Sequence, residues 1–144
     1  MVKANKDKNI VLIGMCGAGK STVGVLLAKA MNRYFLDTDV YIQVLEDKGL
    51  QRIIDEQGVE EFCQLEESHL VCIDVTHAVI ATGGSAVYRD AIMRNLSSKG
   101  IIVHLDIDLG TVKQRVTDLY TRGVVMEPGE TIETLYAKRQ PLYE

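Results

Sequence analysis

Short apolar runs alternate with longer amphipathic stretches along the whole chain. Residues 9–13 (Asn-Ile-Val-Leu-Ile) are almost wholly apolar and end at Gly14, the pattern of a strand buried on both faces. Lys20–Met31 carries Val23, Leu26, Leu27 and Ala30 at helical spacing with polar residues between. Residues 34–36 read as a second strand, closed by Asp37-Thr38-Asp39, and 39–45 and 50–56 as short helices parted by Gly49. After Gly58, residues 59–73 form a longer amphipathic helix with Phe62, Leu65, Leu70 and Ile73 on one side. Residues 77–81 are a third strand running into Thr82-Gly83-Gly84, 89–96 a helix, 101–105 a fourth strand and 109–119 a helix. A polar, glycine-containing loop at 120–130 leads to a last helix, 131–139, expected to stop before Pro141.

Strands alternating with helices imply a mostly parallel sheet with helices on both faces, a three-layer α/β/α domain. With no repeat, linker or low-complexity segment, residues 1–144 read as one domain. Ligands of such sheets sit at the carboxyl ends of the strands. Gly14, Asp37 and Gly83 each fall at such an end, so three separated motifs converge on one place.

Composition narrows the choice of partner. A hydrophobic share of 47% with 25% charged residues suits a globular domain. A net charge of −4 argues against nucleic acid. The apolar runs are too short to cross a bilayer, and no signal peptide is visible, so the cytoplasm is the expected compartment. Cys16, Cys63 and Cys72 form no Cys-x-x-Cys pair, and His69, His77 and His104 have no metal-ligand spacing. A monomer is expected.

The strongest chemical signal is Gly14-Met15-Cys16-Gly17-Ala18-Gly19-Lys20-Ser21-Thr22, which satisfies Gly-x-x-x-x-Gly-Lys-Ser/Thr between a strand and a helix. Glycines let the backbone wrap phosphates with its N–H groups, and the following helix presents its positive end to the same anion. The motif predicts ATP held by Gly14, Gly17, Ala18, Gly19, Lys20, Ser21 and Thr22. Lys20 reaches the β- and γ-phosphates and the Ser21 hydroxyl ligates Mg²⁺. Asp37 and Asp39 are two carboxylates at a strand end. Alone they read as a helix N-cap; beside a P-loop, Asp37 reads as acting on the metal and Asp39 as orienting or deprotonating an acceptor hydroxyl. Gly83-Gly84-Ser85 makes either a tight turn or a close approach to a ligand. Arg122 is either a solvated loop arginine or a lid group brought onto the transferring phosphate, and Arg139 either favours its helix dipole or binds an anion.

These residues, in this order, resemble the shikimate kinase family of P-loop kinases. The matching stretches are GMCGAGKSTVG at 14–24, LDTDVYI at 36–42, Phe62 and Glu66 of an F-x-x-x-E pattern, VIATGG at 79–84 and RQPLYE at 139–144. The resemblance implies transfer of the ATP γ-phosphate to a hydroxyl of shikimate with Mg²⁺, in aromatic amino-acid synthesis. It implies that Asp39, Gly83, Gly84 and Arg139 touch the acceptor and that Arg122 is the lid arginine. Three positions depart from the family pattern. Cys63 stands where an arginine grips the acid group of shikimate, and Ser85 stands where the family has a third glycine. The lid reads Arg122-Gly123-Val124-Val125 in place of Arg-Pro-Leu-Leu. The chain ends at Glu144, where the family continues into a fifth strand and a last helix, so the sheet is expected to lack that strand.

The leading expectation is therefore a kinase for a small hydroxylated, carboxylate-bearing metabolite, using shikimate itself poorly or not at all. A kinase for another acceptor, a hydroxy amino acid or a sugar acid, is the second reading. A non-catalytic nucleotide sensor is the third; the pair Asp37 and Asp39 speaks against it, because binding alone needs no acceptor-side base.

Overall fold

A computed structural model describes residues 7–117 and 123–144. Four parallel strands, β1 (Asn9–Ile13), β2 (Tyr34–Asp37), β3 (Ala78–Ala81) and β4 (Gly100–His104), lie in the order β2-β3-β1-β4. Ile10 pairs with Val79 on one side and Ile101 on the other, placing β1 in the interior of the sheet. The helices are α1 (Lys20–Met31), α2 (Thr38–Glu46), α3 (Leu50–Gln57), α4 (Val59–Leu70), α5 (Asp90–Lys99), α6 (Leu109–Arg115) and α7 (Ile132–Tyr143), with a 3₁₀ turn at Ala86–Tyr88.

The apolar run of β1 divides its side chains between two cores, as alternation along a strand requires. Leu12 and Ile10 join Val79, Ala28, Leu27 and Phe35 beneath α1, while Val11 and Ile13 join the larger core built with the other helices. This is the expected α/β/α layering. On the α1 face, Ile101 and Val103 of β4 are exposed, and among the described residues no fifth strand pairs with β4.

Several element ends differ from the sequence expectation. Helix α7 runs through Pro141 to Tyr143. Proline deletes the N–H that would bond to the Ala137 carbonyl, but tertiary contacts hold the final turn. The Tyr143 hydroxyl donates to the Gly84 carbonyl at 3.0 Å, and its ring stacks on His104 with centroids 5.0 Å apart. Helix α4 ends at Leu70, because the amides of Cys72 and Ile73 reach back three residues rather than four, to His69 and Leu70. Helix α6 ends at Arg115, where Val116 leaves helical geometry to pack against Gly17. Part of the 120–130 loop is docked. Val125 is buried in the main core with Val124 and Met126 packed against it, and the Gly123 amide donates to Gln51 Oε1.

Candidate active site

The loop between β1 and α1 turns on glycines with positive φ, including Gly17 at 79° and Gly19 at 92°. Gly19 is the N-cap of α1 and makes no side-chain cap bond, and the first turn carries no acidic residue. The first N–H groups of α1 therefore stay available to an anion, which the helix dipole also favours. No atom comes within 4 Å of a Cβ placed on Gly19, so the cradle is open there. Lys20 is buried, its Nζ donating to the carbonyls of Gly14 at 2.7 Å and Met15 at 2.9 Å. Burial lowers its pKa to about 8, Arg139 adding to the shift while Cys16, Asp39 and Asp37 oppose it.

Across the loop, Asp37 does two things at once. Its Oδ1 caps α2 by accepting from the amides of Asp39 and Val40, and its Oδ2 accepts the Ser21 hydroxyl at 2.5 Å. The helix cap and the contact with the phosphate-loop serine are thus compatible uses of one carboxylate. One carboxylate and one hydroxyl are oxygen ligands suited to Mg²⁺ that arrives already bound to phosphates, while the nearby backbone amides suit the phosphates themselves. Asp39, one step into α2, is partly buried, and burial with the neighbouring Asp37 raises its pKa to about 6 against the pull of Lys20 and Arg139. At neutral pH it remains mostly ionised.

The third strand end faces these groups. The Gly83 amide donates to Thr38 Oγ1 at 3.1 Å, and a Cβ on Gly83 would lie 2.5 Å from Asp39 Oδ1. Arg139 closes the far side. It is 1% exposed, with Nε donating to the Tyr88 hydroxyl at 2.9 Å and Nη2 to the Val125 carbonyl at 2.8 Å. Its Nη1 lies against Gly84. Among the described residues no carboxylate pairs with this buried cation.

One cavity of about 670 Å³ joins these parts. The phosphate loop from Gly17 through Thr22 lines one end, and Asp39, Gly83, Gly84, Ser85 and Arg139 the other. Of the expected residues, Gly14 and Asp37 stand behind the wall, reaching it through Lys20 and Ser21. Arg122 lies outside the described residues.

Three further contributors carry no signal of their role in the sequence. Arg115 lines the cavity and donates to the Gly17 carbonyl at 3.1 Å, yet in sequence it is one more basic residue near a helix end. Tyr88 and Thr38 hold Arg139 and Gly83 through contacts that only the tertiary fold creates.

The sequence model of shikimate kinases matches residues 16–144. The shikimate kinase of Thermodesulfovibrio yellowstonii is 37% identical over 140 residues, covering 95% of this chain and 81% of that protein. The chain belongs to the shikimate kinase family. The enzyme of that name from Shewanella woodyi is 36% identical, with 96% of this chain and 83% of the relative aligned. Among solved structures, the Acinetobacter baumannii shikimate kinase in complex with shikimate superposes with a TM-score of 0.82 at 30% identity, over 94% of this chain and 78% of that one. The Aquifex aeolicus shikimate kinase gives a TM-score of 0.76 at 30% identity, over 94% of this chain and 81% of that one. The P-loop kinase fold and the family membership inferred from the motifs agree with these matches.

Proposed function

We propose that this shikimate kinase-like protein transfers the γ-phosphate of ATP to a hydroxyl of a small carboxylate-bearing acceptor, shikimate or a related hydroxy acid. The observation that carries this reading is Arg139. A guanidinium 1% exposed, hydrogen-bonded to two neutral oxygens and with no carboxylate partner among the described residues, lines the same cavity as Lys20 and Asp39. Burying such a cation without a counter-ion is costly. An acceptor carboxylate supplies that counter-ion and at the same time aims its hydroxyl across the cavity.

In this reading the loop amides between Gly17 and Thr22, apart from that of Ala18, which donates to the Met15 carbonyl, hold the phosphates together with the start of α1. Lys20 exchanges its two carbonyl partners for the transferred group and balances the charge that develops there. Ser21 and Asp37 are the residues that would hold Mg²⁺, which supplies charge neutralisation on the β- and γ-phosphates. Asp39, ionised above about pH 6, accepts the hydroxyl proton. Gly83 and Gly84 keep the acceptor's path free of side chains, and Ser85 completes that wall. Arg122 is assigned the lid role that its place in the 120–130 loop suggests.

A narrower reading of acceptor choice follows from Cys63. It is buried and lines a separate, smaller cavity with Tyr88 and Arg89, and among the described residues Arg52 pairs with Glu56 and Arg89 with Glu60 rather than standing beside Arg139. A shikimate carboxylate would then rest on Arg139 without the second arginine of the family pattern, which weakens the hold on shikimate.

A coupled ADP-release screen against hydroxy acids, hydroxy amino acids and sugar acids tests the proposal. Acceptor-dependent ADP release with a carboxylate-bearing compound supports it. MgATP binding without turnover on any acceptor would favour the sensor reading instead.

A further inference from the structure

Glu66 is the most deeply placed carboxyl near the site, 0% exposed on the inner side of α4. Among the described residues no cation forms an ion pair with it. Its partner is the Ser85 hydroxyl, which lies 3.0 Å from each carboxylate oxygen. The neighbour one turn earlier on α4, Cys63, is a thiol whose own pKa burial pushes up to about 11, so it brings no charge.

Ser85 occupies a sensitive position. Gly83 and Gly84 precede it, against Asp39 and Arg139 respectively. The 3₁₀ turn Ala86–Tyr88 follows it, with the Tyr88 amide donating to the Ser85 carbonyl at 3.0 Å and the Tyr88 hydroxyl receiving Arg139 Nε. Both acceptor-facing groups are thus connected through the residue that Glu66 holds.

We propose that Glu66 and Ser85 form a buried latch that positions the Gly83–Gly84 turn and, through Tyr88, the Arg139 guanidinium, so that acceptor affinity follows the ionisation of Glu66. Both act as positioning residues, and the idea rests on the acceptor site assigned above. An ionised carboxylate accepts a hydroxyl about twice as strongly as a neutral one. Protonation of Glu66 therefore slackens the latch. Burial raises the Glu66 pKa to about 7, with Asp39 of α2 adding to the shift and the Ser85 hydroxyl, Arg139 of α7 and Arg89 opposing it. The change of state falls within the neutral range. The two effects of acidification also have opposite signs. As a bare charge, Glu66 repels an anionic acceptor, so its protonation would lower KM; as a latch, its protonation raises KM.

The test combines a ligand-free and a kinetic measurement. In the ligand-free protein, carboxyl-carbon NMR follows Glu66 while amide resonances report Gly83 and Gly84. The latch predicts that these amides titrate with Glu66. Ser85→Ala removes a hydrogen bond to the charged form and should raise the Glu66 transition by about one pH unit or more, detaching the amides from it. Kinetically, KM for shikimate, or for the hydroxy acid chosen by the ADP-release screen, should rise about two- to ten-fold from about pH 8 to about pH 6. Glu66→Gln should hold KM near its acidic value throughout, and Ser85→Thr, which keeps the hydroxyl, should retain the wild-type profile. Glycine amides that ignore the Glu66 transition, or a KM that falls on acidification, would overturn the latch. Failure of every acceptor to turn over would sink the acceptor assignment alone, because the ligand-free titration still decides the latch.

Discussion

Replacing Gly83 by alanine separates catalysis from folding at a single atom. The added Cβ would lie 2.5 Å from Asp39 Oδ1 and 3.3 Å from its Cγ, whereas ordinary contact begins near 3.4 Å. The carboxylate must retreat by about 0.9 Å, and a misplacement near 1 Å in a positioned catalytic group costs on the order of a hundred-fold in rate. That is about 2.7 kcal/mol of lost transition-state stabilisation. Stability should change little, within about 1 kcal/mol, because the atom that yields is the end of a side chain and Gly83 has no positive φ. Nucleotide affinity should also hold, since the phosphate loop is untouched. Three measurements suffice: kcat by coupled ADP release, MgATP affinity by calorimetry and Tm by thermal scan. A kcat within about three-fold of wild type would refute the placement of Asp39 against the reacting hydroxyl.

Lys20→Ala should reduce phosphoryl transfer by at least about a hundred-fold while the protein stays folded, as read by single-turnover kinetics and circular dichroism; near-normal turnover would move the active site elsewhere. The kcat–pH profile should fall as pH drops through about 6, because burial and Asp37 raise the Asp39 pKa and only its ionised form accepts a proton. A flat profile across that range would remove Asp39 as the base. Cys63→Arg should raise kcat/KM for shikimate about ten- to a hundred-fold by adding a charged hydrogen bond beside Arg139, and an unchanged ratio would show that the cysteine does not set acceptor choice.

Much of the fold was legible because local and tertiary signals agree. The run at residues 9–13 is a central strand, and the glycine-lysine-serine pattern sits between that strand and α1, whose bounds match the expected Lys20–Met31. The glycine loop at one end of the cavity was legible for the same reason, since it is a contiguous backbone segment. The opposite end of the cavity was only partly so. Arg139 could be named as an anion ligand or a helix-end cation, but the neutral oxygens that hold it belong to Tyr88 and Val125, 51 and 14 residues away. Ser85 read as a replacement for the family's third glycine in a turn or ligand-facing loop, whereas its hydroxyl donates to Glu66 on α4. Pro141 read as a helix stop because its local penalty is visible in sequence, while the Tyr143 contacts that offset it are not. Val124 and Val125 read as lid residues of a polar loop, and their packing with Met126 into the core was hidden because no periodicity marks three residues.

The most direct test of the account is product analysis by phosphorus NMR after incubating the protein with MgATP and a carboxylate-bearing hydroxy-acid panel that includes shikimate. The account predicts ADP and one new phosphomonoester in equal amounts, lost together in Lys20→Ala and in Gly83→Ala. ADP formed at the same rate with and without acceptor, and with no phosphomonoester, would contradict it.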